Sequence, residues 1–365
     1  MSASWPEGNA IVYCEGAFGT PNGKTAHGLV RRSERYRLLS VIDSARAGGD
    51  AGAVLDDTPN GIAIHADLAA ALRAAAAAGV EATHFVIGLA PDGGRLPAAG
   101  RAAVEEAIRA GLDVVSGLHD FVSEDPALAA LAAERSVTLT DVRKPPPRSE
   151  LHFFSGKIEQ VDALKLAVLG TDSAVGKRTT AWLLIDALRR HGHSAELIGT
   201  GQTAWLQGAR YSIVVDSLVS DFMSGEIEHA AWLAWQEQRP EVIVFEGQGS
   251  LLNPAYPGGY ELLGAGRPEA VILQHAPERS EYDGFPGYRL HPLEYQIRAL
   301  EIVSERPVIA VTINHEGLDR DGVRAAAAAI TAATGLPAFD VLRDGADALA
   351  AIVEDLLDRR RERLP

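Results

Sequence analysis

The residues with the clearest chemistry lie between Gly170 and Thr180, Gly170-Thr171-Asp172-Ser173-Ala174-Val175-Gly176-Lys177 followed by Arg178-Thr179-Thr180. Glycines bounding a short loop, with a lysine ahead of a helical pattern, make a cradle for phosphate. The backbone N–H groups converge on an anion, and the helix N-terminus adds partial positive charge. Gly176 lets the backbone approach a phosphate closely, and Lys177 supplies a full charge at its oxygens. Five residues separate Gly170 from Gly176, and Arg178 stands where a hydroxyl residue is usual. The common pattern has four intervening residues and a Ser or Thr after the lysine. A hydroxyl for Mg²⁺ would therefore come from Thr179 or Thr180.

Other polar residues follow apolar runs. In Val-Ile-Val-Phe-Glu-Gly-Gln-Gly-Ser (Val242–Ser250) an apolar strand ends in Glu246, which resembles the acidic strand end that holds Mg²⁺ directly or through water. Asn314, in Val-Thr-Ile-Asn-His, has the donors and acceptor to read an adenine edge. Gln202, Asp216 and Asp221 bring polar groups to the mouth of the same site. Arg279, in His-Ala-Pro-Glu-Arg, is of a type that grips a carboxylate with two hydrogen bonds. Asp221, His275 and His291 are candidates to take a proton from an amine.

Strands and helices must alternate to position these groups. The run Leu166–Leu169 reads as a buried strand, and Trp182, Leu183, Leu184, Ala187 and Leu188 mark the helix after the loop. Further strands are expected at Ala195–Ile198, Ser212–Val215, Val242–Phe245, Ala270–Leu273, Val308–Ile313 and Ala338–Leu342, and closing helices at Ala325–Thr334 and Ala346–Arg360. Upstream, strands at Ala10–Cys14, Tyr36–Ile42, His84–Gly88, Leu112–Ser116 and Thr138–Asp141 alternate with helices at Ala66–Ala78, Ala98–Ala110 and Ala127–Arg135. Alternation of this kind predicts two parallel α/β sheets, with ligands at the carboxyl ends of the strands. The fold expected is an N-terminal Rossmann-like domain, residues 1–148, then a P-loop NTPase-like domain, residues 149–365. The stiff Lys144-Pro-Pro-Pro-Arg148 joins them.

A second glycine-rich loop follows the first strand: Gly16, Gly19, Gly23, then Lys24-Thr25. Its spacing fits neither phosphate-loop nor dinucleotide patterns. Asp43, just past the second strand, sits where a dinucleotide fold places the acid that takes a ribose hydroxyl. Without the glycine fingerprint, the preferred reading is a βαβ unit with a polar strand end.

The bulk properties narrow the class. The chain has 365 residues, 47% of them hydrophobic and 23% charged, as in an ordinary globular protein. A formal charge of −15 argues against general binding to nucleic acid or anionic membrane, yet leaves room for a local anion site. Cys14 is the single cysteine, which excludes an intrachain disulfide and a cysteine-based zinc site. The opening residues show neither a basic segment nor a long apolar core, and no run approaches a membrane span. The expected location is the cytoplasm, the expected partner a small molecule, and the expected assembly a homo-oligomer such as a dimer.

The five-residue spacer, the Val-Phe-Glu-Gly-Gln-Gly stretch and Val-Thr-Ile-Asn-His together resemble the dethiobiotin synthetase-like branch of P-loop proteins. That resemblance implies that Lys177 meets phosphates, Glu246 sits on the metal side and Asn314 lies near adenine; Arg178 departs from it. More of the chain, from about residue 10 to about residue 355, resembles a narrower family. The motifs are Gly-Lys-Thr-Ala-His-Gly-Leu-Val-Arg, the phosphate loop, Gly-Thr-Gly-Gln-Thr, Asp-Ser-Leu-Val-Ser-Asp-Phe, Phe-Glu-Gly-Gln-Gly-Ser-Leu, and Gln-His-Ala-Pro-Glu-Arg with Tyr-Asp-Gly-Phe-Pro-Gly-Tyr. They are similar to the DgcN-type D-glutamate N-acetyltransferases, first described as a P-loop family of unknown function. The resemblance implies acetyl transfer from acetyl-CoA to the amine of D-glutamate. Residues 170–179 and Asn314 would then hold the cofactor, and Gln202, Asp216, Glu246 and Arg279 the substrate. Backbone N–H groups would stabilise the oxyanion. The rival expectation is an ATP- and Mg²⁺-dependent kinase or carboxylate-activating ligase, with Thr179 and Glu246 on the metal. Cys14, on a strand of the first domain, is a poor acyl-enzyme nucleophile.

Overall fold

The computed structural model describes residues 6–363. Residues 1–5, part of the segment read above for a leader, lie outside the described residues. The backbone separates into two units. One runs to Pro146 and takes in Gln202–Gly208; the other holds Pro147–Gly201 and the chain from Ala209 onward.

The first unit is a parallel sheet of β1 (Gly8–Tyr13), β2 (Tyr36–Ile42), β3 (Ala63–His65), β4 (His84–Ile87), β5 (Asp113–Ser116) and β6 (Leu139–Asp141). Their order in space is β3-β2-β1-β4-β5-β6. This order is the one found in dinucleotide-binding Rossmann sheets. β1 and β4 end in buried apolar residues and β5 carries buried Val114 and Val115, as strands covered on both faces must. The helices start at built-in caps. Asp67 accepts from the Ala70 N–H ahead of Leu68–Ala77, and Asp125 accepts from Ala127 and Leu128 ahead of Pro126–Arg135. Each such cap contributes about 1 kcal/mol. β3 has no counterpart in the sequence reading. Its three residues, Ala-Ile-His, are too few for a periodic signal, and its place comes from pairing with β2.

The second unit contains β7 (Leu164–Gly170), β8 (Ala195–Gly199), β9 (Tyr211–Ser212), β10 (Val242–Glu246), β11 (Ala270–His275), β12 (Val308–Ile313) and β13 (Ala338–Phe339), all paired in parallel. Their order is β13-β12-β11-β7-β10-β8-β9. β7 and β10 are buried along their whole length. Two strands are shorter than expected. The run predicted over Ser212–Val215 pairs only at Tyr211–Ser212, and Val215–Ser217 is a 3₁₀ turn. The run predicted over Ala338–Leu342 stops at Phe339. Asp340 then accepts from Leu342 N and Arg343 N and starts the short helix Val341–Asp344. A carboxylate capping orphan N–H groups offers the backbone a better arrangement there than a longer edge strand.

Because the strands are parallel, the carboxyl ends of β7, β8, β10, β11 and β12 share one edge. β7 lies between β10 and β11, with Glu246 level with Val168 and Gln274 level with Gly170. The polar residues that follow these apolar runs therefore surround the loop leaving β7. Among the described residues no helix is long and apolar enough to cross a membrane.

Candidate functional site

The loop from Gly170 enters the helix Lys177–Arg190. Gly176 has φ +105° and Ala174 has φ +51°. Left-handed residues of this kind turn successive N–H groups into one concavity, an anion nest. A left-handed alanine costs about 1 kcal/mol or more. The N–H groups of Ala174, Val175 and Gly176 have no acceptor among the described residues. Gly170 is held to glycine by packing: a Cβ there would lie 2.9 Å from Val175 Cγ2 and 3.0 Å from Lys177 Nζ.

Protein groups grip this loop from the sides. Lys177 is buried, and its Nζ donates to Asp172 O and Gly249 O, both at 2.7 Å. Asp172 is fully buried. Its Oδ1 accepts from Ser173 N at 2.7 Å and Asn253 Nδ2 at 2.9 Å, and its Oδ2 from Asp283 N at 2.9 Å and Arg279 Nη1 at 3.1 Å. Asp172 is thus a hub of the loop. Asn253 also accepts from Ala255 N and Tyr256 N, shaping the segment that follows Glu246. In that segment Gly249 is obligatory, since a Cβ would sit 1.9 Å from Tyr256 O. Thr180 Oγ1 donates to Gln274 Oε1 at 2.5 Å, and Thr312 Oγ1 donates to the same oxygen at 2.6 Å.

The residues singled out from the sequence fall into four groups. Glu246, Lys177 and Arg178 come together. Glu246 is 3% exposed, its Oε1 lies 3.9 Å from Arg178 Nη1, and its Oε2 is buried without a hydrogen-bond partner. Burial pushes its carboxyl above the usual range; Arg178, then the Thr200 backbone N–H, then Lys177 oppose this.

Asn314, His275 and Arg279 also lie at the loop, but the protein itself engages them. Asn314 Nδ2 donates to Val175 O and its Oδ1 accepts from Glu316 N, both at 2.9 Å. His275 Nδ1 lies 3.0 Å from Thr171 Oγ1, and burial lowers the imidazole to about 4, so it is neutral near pH 7. Arg279 bonds Asp172 and Ser173 O with one nitrogen, and Glu316 at 2.7 and 2.9 Å with the others. The guanidinium expected to grip a substrate carboxylate is already flanked by two protein carboxylates.

Asp216, Asp221 and His291 are exposed. Asp216 lies on the 3₁₀ turn Val215–Ser217 and Asp221 in the first turn of the helix Ser220–Gln238; the His291 ring stacks on Tyr295. Among the described residues no hydrogen bond or ion pair joins the Asp221 or His291 side chain to the loop. Gln202 belongs to the first unit, where its Oε1 accepts from Arg143 Nη2 at 2.9 Å and its side chain packs on Gly117. Its helix, Gln202–Gln207, is anchored there by buried Leu206 and by Gln207 donating to Gly28 O at 2.7 Å.

The sequence reading missed Asn253 and Gln274. Both are buried amides that hold site residues in place; Gln274 opens the Gln-His-Ala-Pro-Glu-Arg motif, in which His275 and Arg279 drew the reading, and Asn253 lies three residues beyond the Glu246 stretch. Cys14 is fully buried after β1, and burial pushes its thiol strongly up, as expected of an inert cysteine.

The usual Mg²⁺ donor set is incomplete: of the two hydroxyls expected to stand in for the missing one, Thr180 is engaged and Thr179 is half-buried with no side-chain hydrogen bond among the described residues. The ion requires oxygens near 2.0–2.1 Å in octahedral geometry. Here Arg178 stands where the hydroxyl ligand is usual, and the buried Thr180 hydroxyl is engaged by Gln274. The acid that would face the ion already has a guanidinium beside it.

A Rossmann-like unit together with a parallel α/β unit carrying an anion nest after its central strand defines a two-domain P-loop protein. The chain belongs to the DUF1611 family. Residues 152–350 match the "Domain of unknown function (DUF1611_C) P-loop domain", and residues 44–145 match the "Domain of unknown function (DUF1611_N) Rossmann-like domain". A crystal structure of a DUF1611 family protein from Anabaena variabilis ATCC 29413 superposes with a TM-score of 0.87 at 29% identity, covering 95% of this chain and 99% of that one. A protein of Tritonibacter scottomollicae named D-glutamate N-acetyltransferase is 32% identical over 292 residues, 77% of this chain and 84% of its own. A protein of the same name from a Pseudoalteromonas species is 29% identical over 282 residues, 75% of this chain and 82% of its own.

Proposed function

We propose that the protein transfers the acetyl group of acetyl-CoA to the amine of D-glutamate at the carboxyl edge of the second sheet. One observation carries the reading. An anion nest with unengaged N–H groups and a buried carboxylate with an unpartnered oxygen, Glu246 Oε2, lie together at that edge. This pairing suits a reaction between an anionic carrier and a cationic amine. The names of the two curated relatives supply the acyl group and the amino acid.

Coenzyme A is an adenine nucleotide with a pyrophosphate and a 3′-phosphate. Ala174, Val175 and Gly176 donate to one of these anions, and Lys177 turns from the carbonyls it now bonds to add its charge. The substrate ammonium docks on Glu246 Oε2, replacing a buried unsatisfied oxygen with a charge-assisted bond. Glu246, whose raised affinity for a proton comes from burial, takes one proton from the ammonium. The amine attacks the thioester carbonyl carbon, the C–S bond breaks, and the departing thiolate receives the second amine proton. Glu246 then returns its proton to solvent. The neutral His275 orients Thr171 in the loop in this scheme, and Asp221 and His291 lie outside it. The ligase alternative requires a metal-bound nucleotide, which the donor set above does not favour.

A thiol-release assay tests the proposal. The protein is incubated with acetyl-CoA and a panel of D- and L-amino acids, with ATP·Mg²⁺ consumption followed in parallel. CoA release that requires D-glutamate and no ATP is the expected result. ADP formation without CoA release would replace the proposal with the ligase. Glu246→Gln is expected to reduce turnover about 100-fold or more.

A further inference from the structure

We infer that Arg178 does the work of the divalent ion in this P-loop, so that the site grips the phosphates of its ligand without a metal. The inference rests on the binding half of the function proposed above, anion capture by the loop, and does not depend on acetyl transfer.

Position, geometry and the state of the neighbouring hydroxyl all support it. Arg178 directly follows the loop lysine, and in the common pattern that residue's hydroxyl points a metal at the phosphates. The Arg178 side chain is 22% exposed and its Nη1 lies 3.9 Å from Oε1 of Glu246, whose side chain is 4% exposed. The guanidinium thus stands beside the acid at the strand end, the place a metal holds in a nucleotide triphosphatase. Thr180, two residues further on, is 2% exposed and bonded to Gln274 at 2.5 Å, which leaves Thr179 between them as the half-buried hydroxyl. Releasing Thr180 would leave the buried Gln274 oxygen with Thr312 alone.

A guanidinium is also chemically suited to the place. It is always charged, its planar fork matches phosphate oxygens in pairs, and it sheds water more readily than Mg²⁺ does. A divalent ion between Arg178 and Glu246 would meet like charge at close range. The loop therefore selects phosphate ligands that arrive without a metal, such as a nucleotide thioester, over metal-chelated nucleoside triphosphates. It also assigns Glu246 two faces: Oε1 toward Arg178, and the buried, unpartnered Oε2 toward a ligand N–H.

The test is calorimetric binding of CoA, and separately of ADP, to the full chain in excess EDTA and in excess MgCl₂. The wild-type affinity for CoA is expected to agree within about twofold between the two buffers. Arg178→Thr, which restores the usual hydroxyl, is expected to weaken CoA about 10- to 100-fold in EDTA, with Mg²⁺ recovering part of the loss. Arg178→Lys keeps the charge without the fork and is expected to fall between them. A wild-type affinity that drops about tenfold or more in EDTA would overturn the inference, even if no variant folds. Absence of binding in both buffers would overturn it together with the anion site. Metal-independent binding without CoA release in the thiol assay would leave this inference standing and remove acetyl transfer.

Discussion

The chain contains two loops built to the same outline, and they end in opposite states. In each unit a central strand runs into a glycine-containing loop that ends at a lysine opening a helix: β1 to Lys24–Arg31, and β7 to Lys177–Arg190. In the first loop the protein supplies its own anion. Asp43, buried at the end of β2, accepts from Gly16 N at 3.2 Å, Phe18 N at 2.9 Å and Ala45 N at 3.0 Å. Ala17, Thr20 and Gly23 bond carbonyls within the loop. The carboxylate that would meet a ribose in a dinucleotide fold is turned inward as a staple. In the second loop the carboxylate, Asp172, points away into Asn253, Arg279 and the Asp283 N–H, and the N–H groups of Ala174 to Gly176 are left for a ligand. Glycine and lysine alone therefore do not make an anion site. What decides is whether a protein acid already fills the nest.

Paired substitutions put the difference at risk, and the largest effect is expected at the lysines. Lys177→Ala should reduce kcat/KM for acetyl-CoA about 100- to 1,000-fold. Lys24→Ala, in the filled loop, should stay within about threefold. Equal losses would mean the two loops are not functionally distinct. Next is the staple. Asp43→Ala orphans three N–H groups and should lower unfolding stability by about 2–4 kcal/mol in urea titrations, a loss partly recovered by sulfate entering the vacated nest.

A pH effect follows from His275. Its folded value is about 4, below the ordinary 6.5, so between the two the unfolded chain binds a proton that the folded chain does not. Its contribution is complete above pH 6.5 and is lost as pH falls toward 4. Wild type should therefore lose about 1–2 kcal/mol more than His275→Gln between about pH 7 and about pH 5, by denaturant midpoints at each pH. The smallest effect is expected at Cys14. Cys14→Ala should leave turnover within about twofold; loss of activity in a folded variant would point to a covalent acyl intermediate instead of direct transfer.

Much of the architecture was legible because it rests on local signals. Apolar runs with β-branched residues, such as Val242–Phe245 and Val308–Ile313, mark strands, and a polar residue at the end of each marks the ligand edge of a parallel sheet. Helix starts were less legible: the helix read from Ala325 begins at Arg320, behind the cap Asp319, and the one read from Ala66 begins at Leu68, behind Asp67. β3 was too short to be seen. The helix Gln202–Gln207 looked like part of the second domain because it follows β8 in the chain. Its membership in the first unit depends on Leu206 and Gln207 meeting residues far away in sequence.

Arg279 and Glu246 show where local reading ends. Both are charged residues near strand ends, and sequence offers them equally as substrate ligands. Arg279 is engaged by Asp172, 107 positions away, and by Glu316, whereas one oxygen of Glu246 has no protein partner. The longer strands, the glycines of the loop, the lysine and the unusual arginine were readable from the sequence alone, because each depends on backbone sterics and spacing within about ten residues. Only the tertiary structure decided which polar groups the protein satisfies and which it leaves for a ligand. A hydrogen bond spans about 3 Å in space and any distance along the chain, so no local pattern encodes its partner.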